Sequence, residues 1–369
     1  MENENAFKNL INENVVRKMG RAIKKYDASF PDKKFEKLIP ELSSKELKDR
    51  VKLIAHNLAV HFKNDYCTNI EIIKKVIQKE NLSGFELWPF SEYISHYGLD
   101  NFDESLDAMY VLTQKFTAEF AVRPFIIKDH AKVLNFFQKN IKDNNFHIRR
   151  WISEGSRPLL PWGQKILLFI DRPELTMGLL EQLKYDEEMY VRKSVANHLN
   201  DISKNHPQLV IQCLNSWIKE APLEQKSKIN WIKRHALRTL IKKGHEGALK
   251  LMGVNGKPKV KVYNFKLDKK LYRLNDKLTY SFELYSQSRL KQVLIVDYGI
   301  DFVKANGKHG RKIFKLKTFE LAAGETILLK KTHSLKPITT MKYYPGKHHL
   351  TLQINGVVIH EEVFHLKLM

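Results

Sequence analysis

The sequence predicts an α-helical solenoid, an α-α superhelix, followed by a small all-β sandwich of the immunoglobulin-like type. Two observations carry this. Apolar residues recur at helical spacing as far as about residue 252 and in short alternating runs beyond it. Within the helical part an octapeptide pattern returns three times. The change of period falls in M-G-V-N-G-K-P-K (252–259), which places a helical-repeat domain at 1–255 and a β-domain at 259–369.

Along 104–122, Leu106, Met109, Tyr110, Leu112, Phe116 and Phe120 follow one another at three- and four-residue steps, as one face of a helix requires. The stretches 48–62, 131–141, 166–170 and 209–218 repeat that spacing. Pro89, Pro124, Pro158, Pro161, Pro173 and Pro207 read as helix stops. The three octapeptides are H-I-R-R-W-I-S-E (147–154), Y-V-R-K-S-V-A-N (190–197) and W-I-K-R-H-A-L-R (231–238). Each opens on an aromatic ring, then a β-branched residue, then two cations. Steps of 43 and 41 residues suit HEAT-like helix pairs, whose repeats run about 40–47 residues. Such pairs bury their apolar faces only by stacking on one another. The pairs Arg149–Arg150, Arg192–Lys193 and Lys233–Arg234 would then recur at one level of the stack, a stripe suited to phosphates.

The β-domain shows runs at 278–284, 293–298, 312–317, 326–330, 349–354 and 357–364. Asn306-Gly307 and Asn355-Gly356 suit two-residue hairpin turns. About seven short strands in some 110 residues read as an immunoglobulin-like sandwich, although the Cys…Trp…Cys core of antibody domains is missing. From Lys259 onward, 21 Lys and Arg face 9 Asp and Glu, a net of +12. That balance suits a clamp on DNA.

The whole chain of 369 residues carries 63 Lys plus Arg against 41 Asp plus Glu, a formal net charge of +22. An excess of this size attracts polyanions, and double-stranded DNA is the leading partner. No run approaches the roughly 18 consecutive apolar residues of a spanning helix, and M-E-N-E-N-A-F-K lacks the features of a signal peptide. Cys67 and Cys213 are far apart, so neither a disulfide framework nor a metal knuckle is expected. The expected compartment is the cytoplasm. With no phosphate-cradling loop, no H-E-x-x-H and no G-x-S-x-G, neither cofactor nor metal is expected. The 15 histidines are scattered, and His56, His61, His348 and His349 read as surface or packing residues.

The most specific feature is a pair of similar segments, T-A-E-F-A-V-R-P (117–124) and S-E-G-S-R-P-L-L-P-W (153–162). Each runs from Glu to Arg to Pro, which places Glu119 and Glu154 in or near last helical turns. There a carboxylate meets the negative end of the helix dipole, at a cost of several tenths of a kcal/mol. Arg123, Arg150 and Arg157 stand close enough in sequence to offset it and keep both groups ionised. If the two helices are neighbours about 8–10 Å apart, the carboxylates share one site. Glu–Arg pairs at helix ends are also ordinary surface ion pairs. Trp162, after the rigid P-L-L-P, suits either stacking on a sugar or base or a place in the core.

The runs S-L-D-A-M-Y-V-L-T-Q-K-F-T-A-E-F-A-V-R-P-F (105–125), I-R-R-W-I-S-E-G-S-R-P-L-L-P-W (148–162), V-R-K-S-V-A-N-H-L-N-D-I-S-K-N-H-P (191–207) and W-I-K-R-H-A-L-R-T-L (231–240) resemble the AlkC branch of the bacterial HEAT-like alkylation-repair DNA glycosylases. The resemblance spans roughly residues 85–250, and some members of that branch carry an immunoglobulin-like C-terminal domain. It implies excision of cationic N3-methylated bases, 3-methyladenine and 3-methylcytosine, from duplex DNA in the bacterial cytosol or nucleoid. It also implies bent DNA without a deep base-flipping pocket. By position, Glu119 and Glu154 match the family's catalytic carboxylates and Asp201 a further acidic group facing the lesion. Arg150, Arg157 and Trp162 match residues that hold the distorted backbone. Arg123, Arg149, Arg192, Lys193, Lys233, Arg234 and Arg238 complete the expected DNA contacts. Leu159 stands where the family pattern has a basic residue, and Trp151 is bulkier than the usual aliphatic residue.

A base that is already cationic leaves without prior protonation, so no general acid is needed. What remains is to stabilise an oxocarbenium-like sugar and activate water, both tasks for carboxylates. No lysine nucleophile is implied, hence no strand cleavage. The alternatives are a structure-specific DNA-binding protein of the same superfamily without base excision, and a protein-binding scaffold. A monomer is the simplest assembly.

Overall fold

A computed structural model of the protein describes residues 7–338 and 341–368. Residues 1–6, read above for a leader, lie outside them. Among the described residues sixteen α-helices precede eight β-strands, and no helix is long and apolar enough to cross a membrane. The last helix ends at Leu251 and the first strand begins at Val260. Compactness divides the chain earlier, into Met1–Asn205 with Glu220–Ala236 and His206–Lys219 with Leu237–Met369.

In the first unit the most extensive helix pairings skip one or two helices of the sequence. Leu47–His61 packs on Trp88–Tyr97, Tyr66–Lys79 on Phe102–Thr113, Phe146–Gly155 on Met189–Ile202, and Met189–Ile202 on Lys226–Ala236. That alternation is what stacked helical repeats require. The last three of these helices carry the first two octapeptides and 231–236 of the third. Trp151 is fully buried, its ring 5.1 Å from Phe137 and 6.2 Å from Phe136. Its bulk fills the layer between repeats.

The prolines play a different part from the one expected. Pro89 is the second residue of Trp88–Tyr97, Pro124 the third of Val122–Lys128, and Pro207 the first of Pro207–Glu220, while Pro173 directly precedes Glu174–Leu183. Proline is welcome in a first turn, where its missing N–H has no partner to lose. Only Pro158 and Pro161 follow a helix without opening another. The helix expected over 104–122 is likewise two elements. Phe102–Thr113 ends, a turn carries Phe116, Glu119 and Phe120, and Val122–Lys128 begins.

In the second unit the strands are β1 (Val260–Leu267), β2 (Leu271–Arg273), β3 (Lys277–Ser286), β4 (Gln292–Val303), β5 (His309–Leu321), β6 (Thr326–Ser334), β7 (Gly346–Ile354) and β8 (Val357–Lys367). They form two sheets of order β1-β3-β6 and β2-β8-β7-β4-β5. The pairs are antiparallel except β2 with β8. The first two strands escaped the sequence reading: β1 alternates only between half-buried and exposed positions, and β2 is three residues long. On β3 alternate residues from Leu278 to Ser286 are buried, the pattern of a strand with one face on the core. Tyr272, Tyr280, Phe282, Tyr298 and Phe364 help fill the space that a disulfide and tryptophan occupy in antibody domains.

Asn355 (φ 49°) and Gly356 (φ 79°) form the expected two-residue turn between β7 and β8. Asn306-Gly307 does not. It belongs to a three-residue loop in which Lys304 and Lys308 close the hairpin through an N–H···O bond of 2.8 Å, with Gly307 at φ 73°. Also within this unit, the helix Arg238–Lys242 meets the five-stranded sheet. Lys242 Nζ donates to the Ile313 carbonyl at 2.8 Å, and Gln353 Nε2 donates to the Lys242 carbonyl at 2.8 Å.

Candidate active site

Glu154 lies in the last turn of Phe146–Gly155, as expected, whereas Glu119 does not end a helix. Glu119 sits in the turn before Val122–Lys128, where a carboxylate faces the favourable end of the dipole. Both groups meet on Arg150. Its guanidinium donates to Glu119 Oε2 in a short contact and lies 3.4 Å from Glu154 Oε1. Thr117 Oγ1 donates to Glu119 Oε2 at 2.8 Å and accepts from Arg150 Nη1 at 3.2 Å. The Arg150 guanidinium lies 5.0 Å from the ring centre of Tyr190.

The network continues inward. Arg157 donates through Nη1 to Glu154 Oε1 at 2.7 Å and through Nε to Asp201 Oδ2 at 2.8 Å, and Lys204 reaches Asp201 Oδ1 at 3.0 Å. Ser194 Oγ donates to Glu154 Oε2 at 2.6 Å. Exposure falls from 9% at Glu119 to 6% at Glu154 and 2% at Asp201, so Glu119 is the carboxylate nearest solvent. Asp201, the further acidic group expected to face the lesion, is buried and anchors Arg157 and Lys204. Burial alone would lower the Arg157 pKa, but Glu154 and Asp201 outweigh it and hold the guanidinium above its ordinary value. His198, fully buried, donates through Nδ1 to the Ser153 carbonyl (3.0 Å), and its Nε2 pairs with Thr176 Oγ1 (3.2 Å). Burial first, then the Arg157 charge, press its pKa down to about 3, which leaves it neutral at pH 7.

Arg123, expected at the DNA surface, is instead fully buried. Its guanidinium turns toward the carbonyls of Gly155 (2.9 Å), Pro158 (3.5 Å) and Gln164, and so ties the 155–164 loop to Val122–Lys128. Burial, with repulsion from Arg157, lowers its pKa to about 10, still charged at neutral pH. Gly155 permits the approach of that loop, since a Cβ there would come 2.9 Å from Val122 Cγ1. At the loop's far end Trp162 is 72% exposed, so it is no core residue. Its φ of 67° lies in the left-handed region, which costs a bulky residue roughly 1–3 kcal/mol and persists only where surroundings enforce it. Lys48 Nζ donates to the Trp162 carbonyl at 2.9 Å.

The expected basic stripe is corrected at its first members. Arg149 is bidentate to Asp186 (2.6 and 3.0 Å) and also donates to the Asp143 carbonyl at 2.7 Å. Arg192 is buried and donates to the Asp186 and Glu187 carbonyls. These arginines fasten the turns before Phe146–Gly155 and Met189–Ile202 by bonding turn carbonyls. Of the second members, Arg150 enters the carboxylate site, while Lys193 and Arg234 are exposed. Lys233 is half-buried, with its pKa lowered by burial and then by Arg234. Arg238 falls in the other compact unit. Sequence reading missed Thr117, Ser194, Tyr190 and Lys48. Only Tyr190 carried a signal, as the aromatic opening of an octapeptide.

Residues 261–368 match the family model described as the C-terminal Ig-like domain of the uncharacterised protein YhaZ. Uncharacterized protein YhaZ of Bacillus subtilis is 34% identical over 358 residues, covering 95% of this chain and 97% of its own length. Among solved structures, the Pseudomonas fluorescens alkylpurine DNA glycosylase AlkC, bound to DNA containing an abasic site analog, superposes with a TM-score of 0.89. It is 35% identical, over 98% of this chain and 99% of that one. The chain therefore belongs to the family of YhaZ and AlkC, as an AlkC-type protein with an Ig-like C-terminal domain.

Proposed function

We propose that the protein is a monofunctional DNA glycosylase that hydrolyses the N-glycosidic bond of cationic N3-methylated bases, 3-methyladenine and 3-methylcytosine, in duplex DNA. The observation that carries the reading is the convergence of Glu119 and Glu154 on the single Arg150 guanidinium. It occurs in a chain 35% identical, over nearly its whole length, to an alkylpurine DNA glycosylase.

The methylated base carries its positive charge before reaction, so the bonding pair can leave with it and no proton donor is required. Positive charge then develops on the sugar, where Glu119 and Glu154 stabilise it. Water adds to the anomeric carbon and gives up a proton to one of these carboxylates. Arg150 holds the two groups in register, and Arg157, anchored by Asp201, fixes Glu154 from behind. Exposed Trp162 supplies a rigid face for a sugar or an unstacked base. Lys193, Lys233 and Arg234 take phosphates.

The second reading, a DNA-binding protein without base excision, draws on the satisfied state of the network, since both Glu154 oxygens already have partners. Incubation with methylated duplex DNA and identification of the released bases separates the two. Release of 3-methyladenine or 3-methylcytosine without strand nicking is the expected result. Retention of both bases on DNA that the protein binds supports the second reading, and nicking without added base or nuclease contradicts the monofunctional mechanism.

A further inference from the structure

Lys48 stands 114 residues from Trp162 in sequence, on Leu47–His61, yet it meets both the backbone and the ring of Trp162. Its ammonium donates to the Trp162 carbonyl at 2.9 Å and lies 5.6 Å from the indole centre and 6.0 Å from the Phe120 ring. Phe120 is stacked in turn on Trp88, centroids 6.0 Å apart. Lys48, Lys52, Trp88, Phe120 and Trp162 line one open cleft of about 290 Å³. Gly163 N–H closes a turn on the Leu160 carbonyl at 3.1 Å, and Arg123 fixes Gln164. The peptide group that follows Trp162 is thus held at both ends, its N–H by the Leu160 carbonyl and its C=O by Lys48, with Gln164 pinned two residues on by Arg123.

We propose that Lys48 is a positioning residue: through its bond to the Trp162 carbonyl and its place over the ring, it sets the exposed indole in the orientation that engages distorted DNA. The helix Leu47–His61 thereby becomes part of the lesion site through Lys48 alone. A cation aimed only at phosphate would leave a carbonyl alone, whereas Lys48 is bonded to one. The proposal rests on the glycosylase reading for what the indole engages, but not for the coupling itself.

The test uses the full-length protein labelled with fluorotryptophan, which gives one 19F signal for each of its five tryptophans, with Trp162→Phe identifying that of Trp162. Lys48→Met is expected to shift or broaden the Trp162 signal and leave the other four in place. Lys48→Arg, which keeps a donor, is expected to restore much of it. A Trp162 signal unchanged in Lys48→Met overturns the proposal whether or not the protein excises bases. A double-mutant cycle then reads binding to a duplex containing an abasic-site analogue. Lys48→Met is expected to weaken binding about tenfold in the wild-type background and not at all in Trp162→Ala. Equal losses in both backgrounds mean that Lys48 acts on DNA directly, which also overturns the proposal. Intact coupling in the 19F spectra with no base released by wild type sinks only the glycosylase reading.

Discussion

At the scale of single residues, the site depends on buried charges, paired with one another in the carboxylate network and with backbone carbonyls around Arg123. Arg123→Met would keep the bulk of the side chain but strand the carbonyls of Gly155, Pro158 and Gln164 in the interior. Loss of about 2–4 kcal/mol in urea-unfolding stability is expected, together with increased mobility of the Trp162 loop. His198 makes stability depend on pH. Its folded pKa of about 3 lies below the ordinary 6.5, so between those values the unfolded chain binds the extra proton. The His198 contribution is therefore complete above pH 6.5 and is lost as pH falls toward 3. A His198→Gln variant should show a shallower decline of urea midpoint between pH 7 and pH 4 than wild type; parallel declines would contradict this. The sequence made Glu119, Glu154 and Arg150 legible because all three sit in motifs with repeated spacing. It could not place Arg123 inside or Lys48 beside Trp162, because a guanidinium looks the same whether it faces phosphate or a loop carbonyl, and a contact spanning 114 residues has no local pattern.

At the scale of elements, the octapeptides recur on helices of the stack, but their cations do not share one environment. The first cation of each of the first two repeats closes the turn before its helix by bonding turn carbonyls. Prolines also misled: in first turns they start helices, and periodicity alone does not tell a start from a stop. In the second unit the Asn355–Gly356 turn packs against Gly244, where a Cβ on Gly356 would fall 2.0 Å from Gly244 Cα. Gly356 also has φ 79°, so Gly356→Ala adds left-handed strain to a backbone clash. A loss of at least about 2 kcal/mol in denaturant-unfolding stability is expected for this substitution. The conservative Asn355→Asp, which leaves that approach open, should cost less.

At the scale of the whole molecule, the net charge of +22, with +12 from residue 259 onward, predicts binding to undamaged duplex DNA that is steeply salt-dependent. If six or more phosphates are neutralised, affinity should fall by about 10³-fold or more between 50 and 200 mM salt. A flat salt profile would remove charge as the basis of the grip. Charge would gather DNA, whereas the proposed cleavage of the glycosidic bond falls to Glu119 and Glu154. The most direct test of that assignment is the single-turnover release of 3-methyladenine and 3-methylcytosine from methylated duplex DNA by wild type, Glu119→Gln and Glu154→Gln, with DNA affinity measured in parallel. Each variant should lose at least about 100-fold in rate while its affinity stays within a few-fold of wild type. Undiminished release by both variants, or no release by a wild-type protein that binds the DNA, would contradict it.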